Sequence, residues 1–124
     1  MARRDLTGAV DFAHLETYAG HDMALVEEVL DLFAEQVAGW GRLLDPDGGA
    51  WRDAAHSLKG SALGVGAFRL AQACDAAETA GAAAGPVERA RLTEAVRTEA
   101  DRALADVAAY RHQRLLDDLR GDRR

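Results

Sequence analysis

The chain has 124 residues, which is long enough to bury one hydrophobic core, and we expect a single domain. Hydrophobic residues make up 48% of it but aromatic residues only 6%, with alanine, leucine, glutamate and arginine prominent, which is typical of a helical protein. The formal net charge of -6, from 21 acidic and 15 basic residues, argues against nucleic acid as a partner.

Targeting and membrane segments are not expected. The sequence holds no apolar run of about 18 residues, the length needed to span a membrane. The N-terminus begins Met-Ala-Arg-Arg-Asp and lacks the apolar segment of a signal peptide. Cys74 is the single cysteine, so no internal disulfide is possible, and a small buried side chain is expected there. We therefore predict a cytoplasmic protein that does not bind membranes.

The first part of the chain predicts an arm and two helices. Residues 1–10 carry charge without periodicity, which indicates a flexible N-terminal arm. A short helix is predicted over 11–19, with Asp11 as its N-cap. Phe12 and Leu15 would face the core, and Tyr18 could do so as well. A long second helix is predicted over 22–44, where apolar residues recur at helical spacing and Asp22 can act as the N-cap.

The middle of the chain predicts two more helices. Residues 45–49 read Asp-Pro-Asp-Gly-Gly, which is a turn signal. A third helix is predicted over 50–63 and is broken by the Gly-Val-Gly of residues 64–66. The fourth helix is predicted over 67–80.

The last helix completes a bundle. Residues 81–85 form a small-residue loop, and Pro86 suits the first turn of a fifth helix that extends to about Leu119. Residues 120–124 are expected to form a flexible tail. Four long helices joined by short loops predict an all-α protein over 11–119, an antiparallel up-down four-helix bundle with a short additional N-terminal helix.

The third predicted helix carries the residues that are most informative about function. At about 100° per residue, one stripe would be buried, and His56 lies off it. Lys59 and Gly60 follow His56 by three and four positions, so they are its neighbours on the helix surface. Lys59 is also the one lysine of the chain. This pattern favours a histidine that meets an anionic group delivered by another macromolecule. The buried stripe comprises Trp51, Ala54, Ala55, Leu58 and Ala62.

The run His56-Ser57-Leu58-Lys59-Gly60-Ser61-Ala62, with Gly-Ala at residues 66–67, resembles the histidine-containing phosphotransfer (HPt) domain family. The resemblance covers about residues 10–110. It implies a four-helix bundle that carries a phosphoryl group on one exposed histidine, taken from a receiver phosphoaspartate or a histidine kinase pathway and passed to another receiver. It also implies a carrier without its own ATP site rather than an enzyme. Other matching positions are Gly20-His21-Asp22, Phe33, Gly64, Leu70, Cys74, Glu78 and Gly81.

The resemblance also implies roles for individual residues. His56 would accept the phosphoryl group, Lys59 would offset its charge, and Gly60 would leave room for the receiver. Glu78 falls at the position of a polar residue that orients the histidine. A neutral imidazole is a nucleophile without help from a metal. We therefore expect no cofactor or metal on this chain and place the required Mg²⁺ in the partner receiver.

Receiver docking is expected on the outer face around His56, since an interface combines an apolar centre with a charged rim. Arg52, Leu63 and Arg69 are the first candidates. For three further candidates, core packing is an equally weighted alternative: Leu15, Met23 and Val65. One position departs from the family pattern, because Gly81 is followed by Ala82 where many members carry a basic residue.

Three other classes of protein are alternatives to a monomeric phosphorelay carrier. A helical adaptor that binds receiver or kinase domains without chemistry is the main alternative. A kinase dimerisation domain would need an ATP-binding domain after it, and a carboxylate-bridged metal bundle would need Glu-x-x-His pairs facing inward. The remaining histidines are expected to be surface or capping residues: His14, His21 and His112.

Overall fold

The structure is a computed structural model that describes residues 7–121, and this part of the chain consists of helices, turns and short irregular segments, without a strand. None of its helices is both long enough and apolar enough to cross a membrane. The predicted all-α class is confirmed, as is the four-helix bundle with an added N-terminal helix. The helices are α1 (Phe12–Tyr18), α2 (Met23–Leu43), α3 (Trp51–Val65), α4 (Phe68–Ala80) and α5 (Pro86–Leu119), with a 3₁₀ turn at Gly81–Ala83.

The helix starts follow the local chemistry that predicted them. Asp11 caps α1 by accepting a hydrogen bond from the His14 backbone N–H at 3.0 Å. Asp22 caps α2 in the same way, from the Leu25 N–H at 3.2 Å. Pro86 occupies the first turn of α5, where its missing N–H costs nothing.

The end of α3 differs from the prediction by two residues. Gly64 and Val65 remain helical, and Gly66 alone ends the helix with a left-handed φ of 84°. A Cβ at this position would lie 2.9 Å from the carbonyl oxygen of Asp11. The Asp11 N–H also donates to the Gly66 carbonyl at 3.0 Å. Glycine therefore both ends α3 and lets the start of α1 approach it.

Consecutive long helices pack side by side in an antiparallel arrangement. α3 lies between α2 and α4, α4 packs against α5, and α1 contacts α2 and α3. Arg111 on α5 closes the bundle onto α2, with its Nε 2.8 Å from Glu27 Oε1 and its Nη2 2.7 Å from Asp31 Oδ1. α3 is thus flanked on both sides, which leaves its outer face as the one available to a partner.

The core contains the predicted stripe of α3. All five residues of that stripe are buried, and Trp51 donates its indole N–H to Thr93 Oγ1 at 2.7 Å. Cys74 is buried as predicted, and burial raises the pKa of its thiol to about 12. Phe12 stacks on Tyr110 with ring centroids 4.2 Å apart.

The structure decides the exposure of three residues for which the sequence left alternatives open. Leu15 and Val65 are buried in the core, because α1 packs over the end of α3, so core packing is confirmed for both and Leu15 is not available for docking. Tyr18 does not face inward, since 80% of it is exposed. It is the last residue of α1, so no following turn covers it.

Residues 7–10 are not the flexible arm that the sequence predicted. The Asp106 carboxylate, on α5 and only 1% exposed, accepts hydrogen bonds from the N–H and hydroxyl of Thr7 at 2.9 and 3.0 Å and from the Ala9 N–H at 2.9 Å. Ala9 and Val10 are buried. The rest of the predicted arm, residues 1–6, and residues 122–124 of the predicted tail lie outside the described part of the chain.

The hydrogen bonds from Thr7 and Ala9 to the Asp106 carboxylate can be tested by mutation. An Asp106→Asn change leaves one acceptor oxygen for three donors, so we expect a loss of about 1–3 kcal/mol in the free energy of unfolding. Urea denaturation followed by circular dichroism measures it. Asp101→Asn on the exposed side of the same helix is the control. Equal stability of the two variants would show that Asp106 does not stabilise the fold through residues 7–9.

Candidate functional site

His56 lies in the middle of α3 on the face away from the core. Its side chain is 67% exposed, whereas the preceding Ala55 is fully buried. Neighbouring residues on a helix point about 100° apart, so His56 faces solvent while Ala55 faces the core, as the sequence predicted. An exposed imidazole on a rigid helix is accessible to another macromolecule.

Glu78 reaches His56 from the last turn of α4. Its Oε2 lies 2.7 Å from His56 Nδ1, and its side chain is only 19% exposed. The structure therefore brings together two residues 22 positions apart in sequence. The pairing depends on α3 and α4 lying side by side.

Lys59 joins the same cluster through the other oxygen of Glu78. Its Nζ lies 2.9 Å from Glu78 Oε1 and 3.2 Å from Asp75 Oδ1. The two carboxylates raise the pKa of the Lys59 ammonium, with the Glu78 hydrogen bond as the largest cause. Conversely, Lys59 and then His56 hold the pKa of Glu78 below its usual range. At neutral pH, Glu78 is therefore a carboxylate and Lys59 an ammonium.

This charge state fixes the tautomer of His56. An ionised carboxylate can only accept hydrogen bonds, so Nδ1 of His56 must carry the proton in its bond to Glu78. In the neutral imidazole, Nε2 then keeps its lone pair. The arrangement prepares a nucleophilic nitrogen on the side of the ring opposite Glu78.

Gly60 has no packing reason to be glycine. It is exposed in the interior of α3, and a Cβ built there would meet nothing within 4 Å. A glycine inside a helix costs about 1 kcal/mol relative to alanine. Since the chain itself does not need the space, the open surface beside His56 is available to something else.

A groove of about 630 Å³ between α2 and α3 runs along this open surface. The α2 wall of this groove, which includes Leu32, Gln36 and Trp40, was not predicted from the sequence. Leu32 is 52% exposed, although it is a large apolar residue of α2. Its position off the main buried stripe of this amphipathic helix is the signal by which the sequence could have indicated it. From α3, the groove is lined by His56, Ser57, Gly60, Ser61, Gly64 and Val65.

The other predicted docking residues are spread more widely. Leu63 is 49% exposed and lies two turns beyond His56 on α3. Met23 is half-buried against the core. Arg52 donates to the Glu78 backbone carbonyl at 3.4 Å, a long hydrogen bond, and so lies near the cluster. Arg69 donates instead to the Thr7 carbonyl at 3.0 Å, at the N-terminal segment.

The remaining candidate groups can be placed as well. His14 is exposed and packs edge-on against Phe68, with ring centroids 5.4 Å apart. Within residues 7–121, no three His, Cys, Asp or Glu side chains are grouped so as to hold a metal ion.

Comparisons with known proteins agree with this geometry. The sequence matches the family model of the Hpt domain over residues 24–120, which is most of the chain. The structure is similar to the crystal structure of the histidine phosphotransferase ShpA from Caulobacter crescentus, with a TM-score of 0.76 and 47% sequence identity. That similarity covers 90% of this chain and 99% of the other. No curated protein sequence matches. The chain therefore belongs to the histidine-containing phosphotransfer domain family.

Proposed function

We propose that this protein is a phosphorelay carrier that accepts a phosphoryl group on His56 and passes it to a receiver domain. The observation that carries the proposal is the 2.7 Å contact of His56 Nδ1 with Glu78 on an otherwise exposed imidazole. Membership of the phosphotransfer family and the similarity to ShpA support the same function.

The chemical step starts from the nitrogen that Glu78 leaves free. His56 Nε2 attacks the phosphorus of a receiver phosphoaspartate in line, the Nε2–P bond forms, and the P–O bond to the aspartate breaks. The aspartate leaves as a carboxylate, and the imidazole ring becomes positively charged while Nδ1 keeps its proton. The Glu78 carboxylate beside Nδ1 stabilises that positive charge.

The remaining charges belong partly to this chain and partly to its partner. Lys59 would offset charge on the phosphoryl oxygens if its ammonium turns from Asp75 toward Nε2. The Mg²⁺ that neutralises the transferring group would be held by the receiver. On this basis the protein is a carrier without its own ATP site or bound cofactor.

The receiver is proposed to dock over the groove between α2 and α3. Leu32 and Leu63 provide exposed apolar surface near His56, and Gly60 leaves room for the loops around the receiver aspartate. Arg52, close to Glu78, is the best placed arginine for the rim. Arg69 and the half-buried Met23 are weaker members of the surface.

Two features favour a monomeric carrier over an adaptor without chemistry. His56, Lys59 and Glu78 all come from one chain, so the site is complete without a second copy. An adaptor would have no use for a mostly buried carboxylate that is kept ionised beside an imidazole. A location in the cytoplasm stays a prediction from the sequence.

The proposed function is tested by transfer of label from a receiver. A receiver domain charged with acetyl phosphate and Mg²⁺ is mixed with the wild-type chain or with its His56→Ala variant. We expect acid-labile, base-stable phosphate on the wild type and none on the variant. Label on both would mean that another histidine is the acceptor, and label on neither, across several receivers, would favour the adaptor.

A substitution at Gly60 tests the docking of the receiver independently of the folding of this chain. Gly60→Ala adds a methyl group that meets nothing in this chain, so we expect about 0.5–1 kcal/mol of added stability. The same methyl group stands one turn from His56 and should slow phosphoryl transfer from a receiver at least several-fold.

The control is Gly39→Ala, also at an open position, in the interior of α2 and outside the groove lining. It should raise the thermal midpoint similarly and leave the transfer rate unchanged. Unchanged transfer in Gly60→Ala would contradict the proposed approach of the receiver.

A further inference from the structure

Asp75 lies within the site but has no role in the transfer step proposed above. It lies one turn before Glu78 on α4, and its carboxylate accepts a hydrogen bond from Lys59 Nζ at 3.2 Å. Its side chain is 61% exposed, so it contributes little to the packing of the bundle. Lys59 itself is only 27% exposed. The ammonium is therefore held on the α4 side of the site between two carboxylates.

The charges of this cluster do not balance. Lys59 supplies one positive charge, whereas Asp75 and Glu78 supply two negative charges. These three groups alone carry a net charge of about -1 at neutral pH, and Arg52, whose Nε donates to the Glu78 backbone carbonyl, adds a positive charge nearby. A phosphoryl group on His56 adds more negative charge beside these groups. The carboxylates of Asp75 and Glu78 therefore repel the incoming group, and the position of the Lys59 ammonium decides how far that repulsion is offset.

The two carboxylates hold the lysine differently. Glu78 is mostly buried and also bonds His56, so it cannot move without losing the imidazole contact. The bond to Asp75 is longer and exposed, and such ion pairs contribute only about 0.2–1 kcal/mol. Lysine has a flexible stem, so its ammonium can leave Asp75 at small cost. Asp75 is the partner that competes with a phosphoryl group for Lys59.

We propose that Asp75 is a positioning residue that holds Lys59 away from the phosphoryl group and so lowers the stability of phosphorylated His56. Through this competition, Asp75 biases the transfer equilibrium toward the receiver. The inference rests on the proposed function, because it concerns how readily His56 keeps the group that it accepts. Removal of the Asp75 charge both frees the lysine and removes a repulsive charge, and the two effects have the same sign.

The experiment measures the equilibrium distribution of phosphate between this chain and a receiver. A phosphorylated receiver domain, freed of acetyl phosphate, is mixed with each variant in Mg²⁺ buffer at low ionic strength. In Asp75→Asn, we expect the ratio of phosphorylated carrier to phosphorylated receiver to rise by roughly 3- to 10-fold. Asp75→Glu keeps the charge and should restore the wild-type ratio.

Two controls distinguish a charge effect from a structural one. Asp101→Asn changes the net charge equally but lies exposed on α5, and its ratio should equal that of the wild type. In about 0.5 M salt, the effect of Asp75→Asn should shrink, because salt screens exposed charges. A loss of packing would not respond to salt in this way.

The outcomes separate this inference from the proposed function. If the wild type takes label on His56 but Asp75→Asn and Asp101→Asn give equal ratios, Asp75 does not position the lysine. A shift in Asp75→Asn that persists unchanged at high salt would overturn the inference too. A wild-type chain that takes no label overturns the proposed function, and this inference with it.

Discussion

The hydrogen bond between His56 and Glu78 is the interaction on which the proposed phosphotransfer site depends. It joins the middle of α3 to the last turn of α4, so it exists only if those two helices lie close together. Their buried side chains are mostly small, which permits a short distance between helix axes. Packing in the core thereby sets the position of a proton at the surface. The buried small residues are Ala54, Ala55, Ala62, Ala71, Cys74 and Ala77.

The two sides of the His56 imidazole have different surroundings: charged residues lie on one side and open surface on the other. On the α4 side, Glu78 and Lys59 form a charged cluster whose groups hold one another ionised. On the α2 side, Gly60 and the groove leave the surface free. A carrier must give up what it accepts, and an imidazole with a fixed proton on Nδ1 and open space at Nε2 suits transfer in both directions. The proposed competition of Asp75 for Lys59 shifts the equilibrium of that transfer toward the receiver.

Helix periodicity and capping chemistry predicted the bundle closely, since Asp11, Asp22 and Pro86 act locally. The position of His56 off the buried stripe was predictable for the same reason. Long-range contacts were not: Asp106 holds residues 7–10 although it reads as an ordinary helix acid. The groove wall on α2 and the pairing of Lys59 with Asp75 also depend on how helices face one another, which periodicity within one helix does not determine.

The most direct test of this account locates the phosphoryl group on the imidazole ring. The chain is labelled with ¹⁵N at histidine, phosphorylated through a receiver, and studied by ³¹P and ¹⁵N NMR at neutral pH. Because Glu78 keeps the proton on Nδ1, we expect the phosphorus of the single phosphohistidine to couple directly to Nε2 of His56. A phosphorus bonded to Nδ1 would contradict the account, since that nitrogen would then be free of Glu78 when the group arrives.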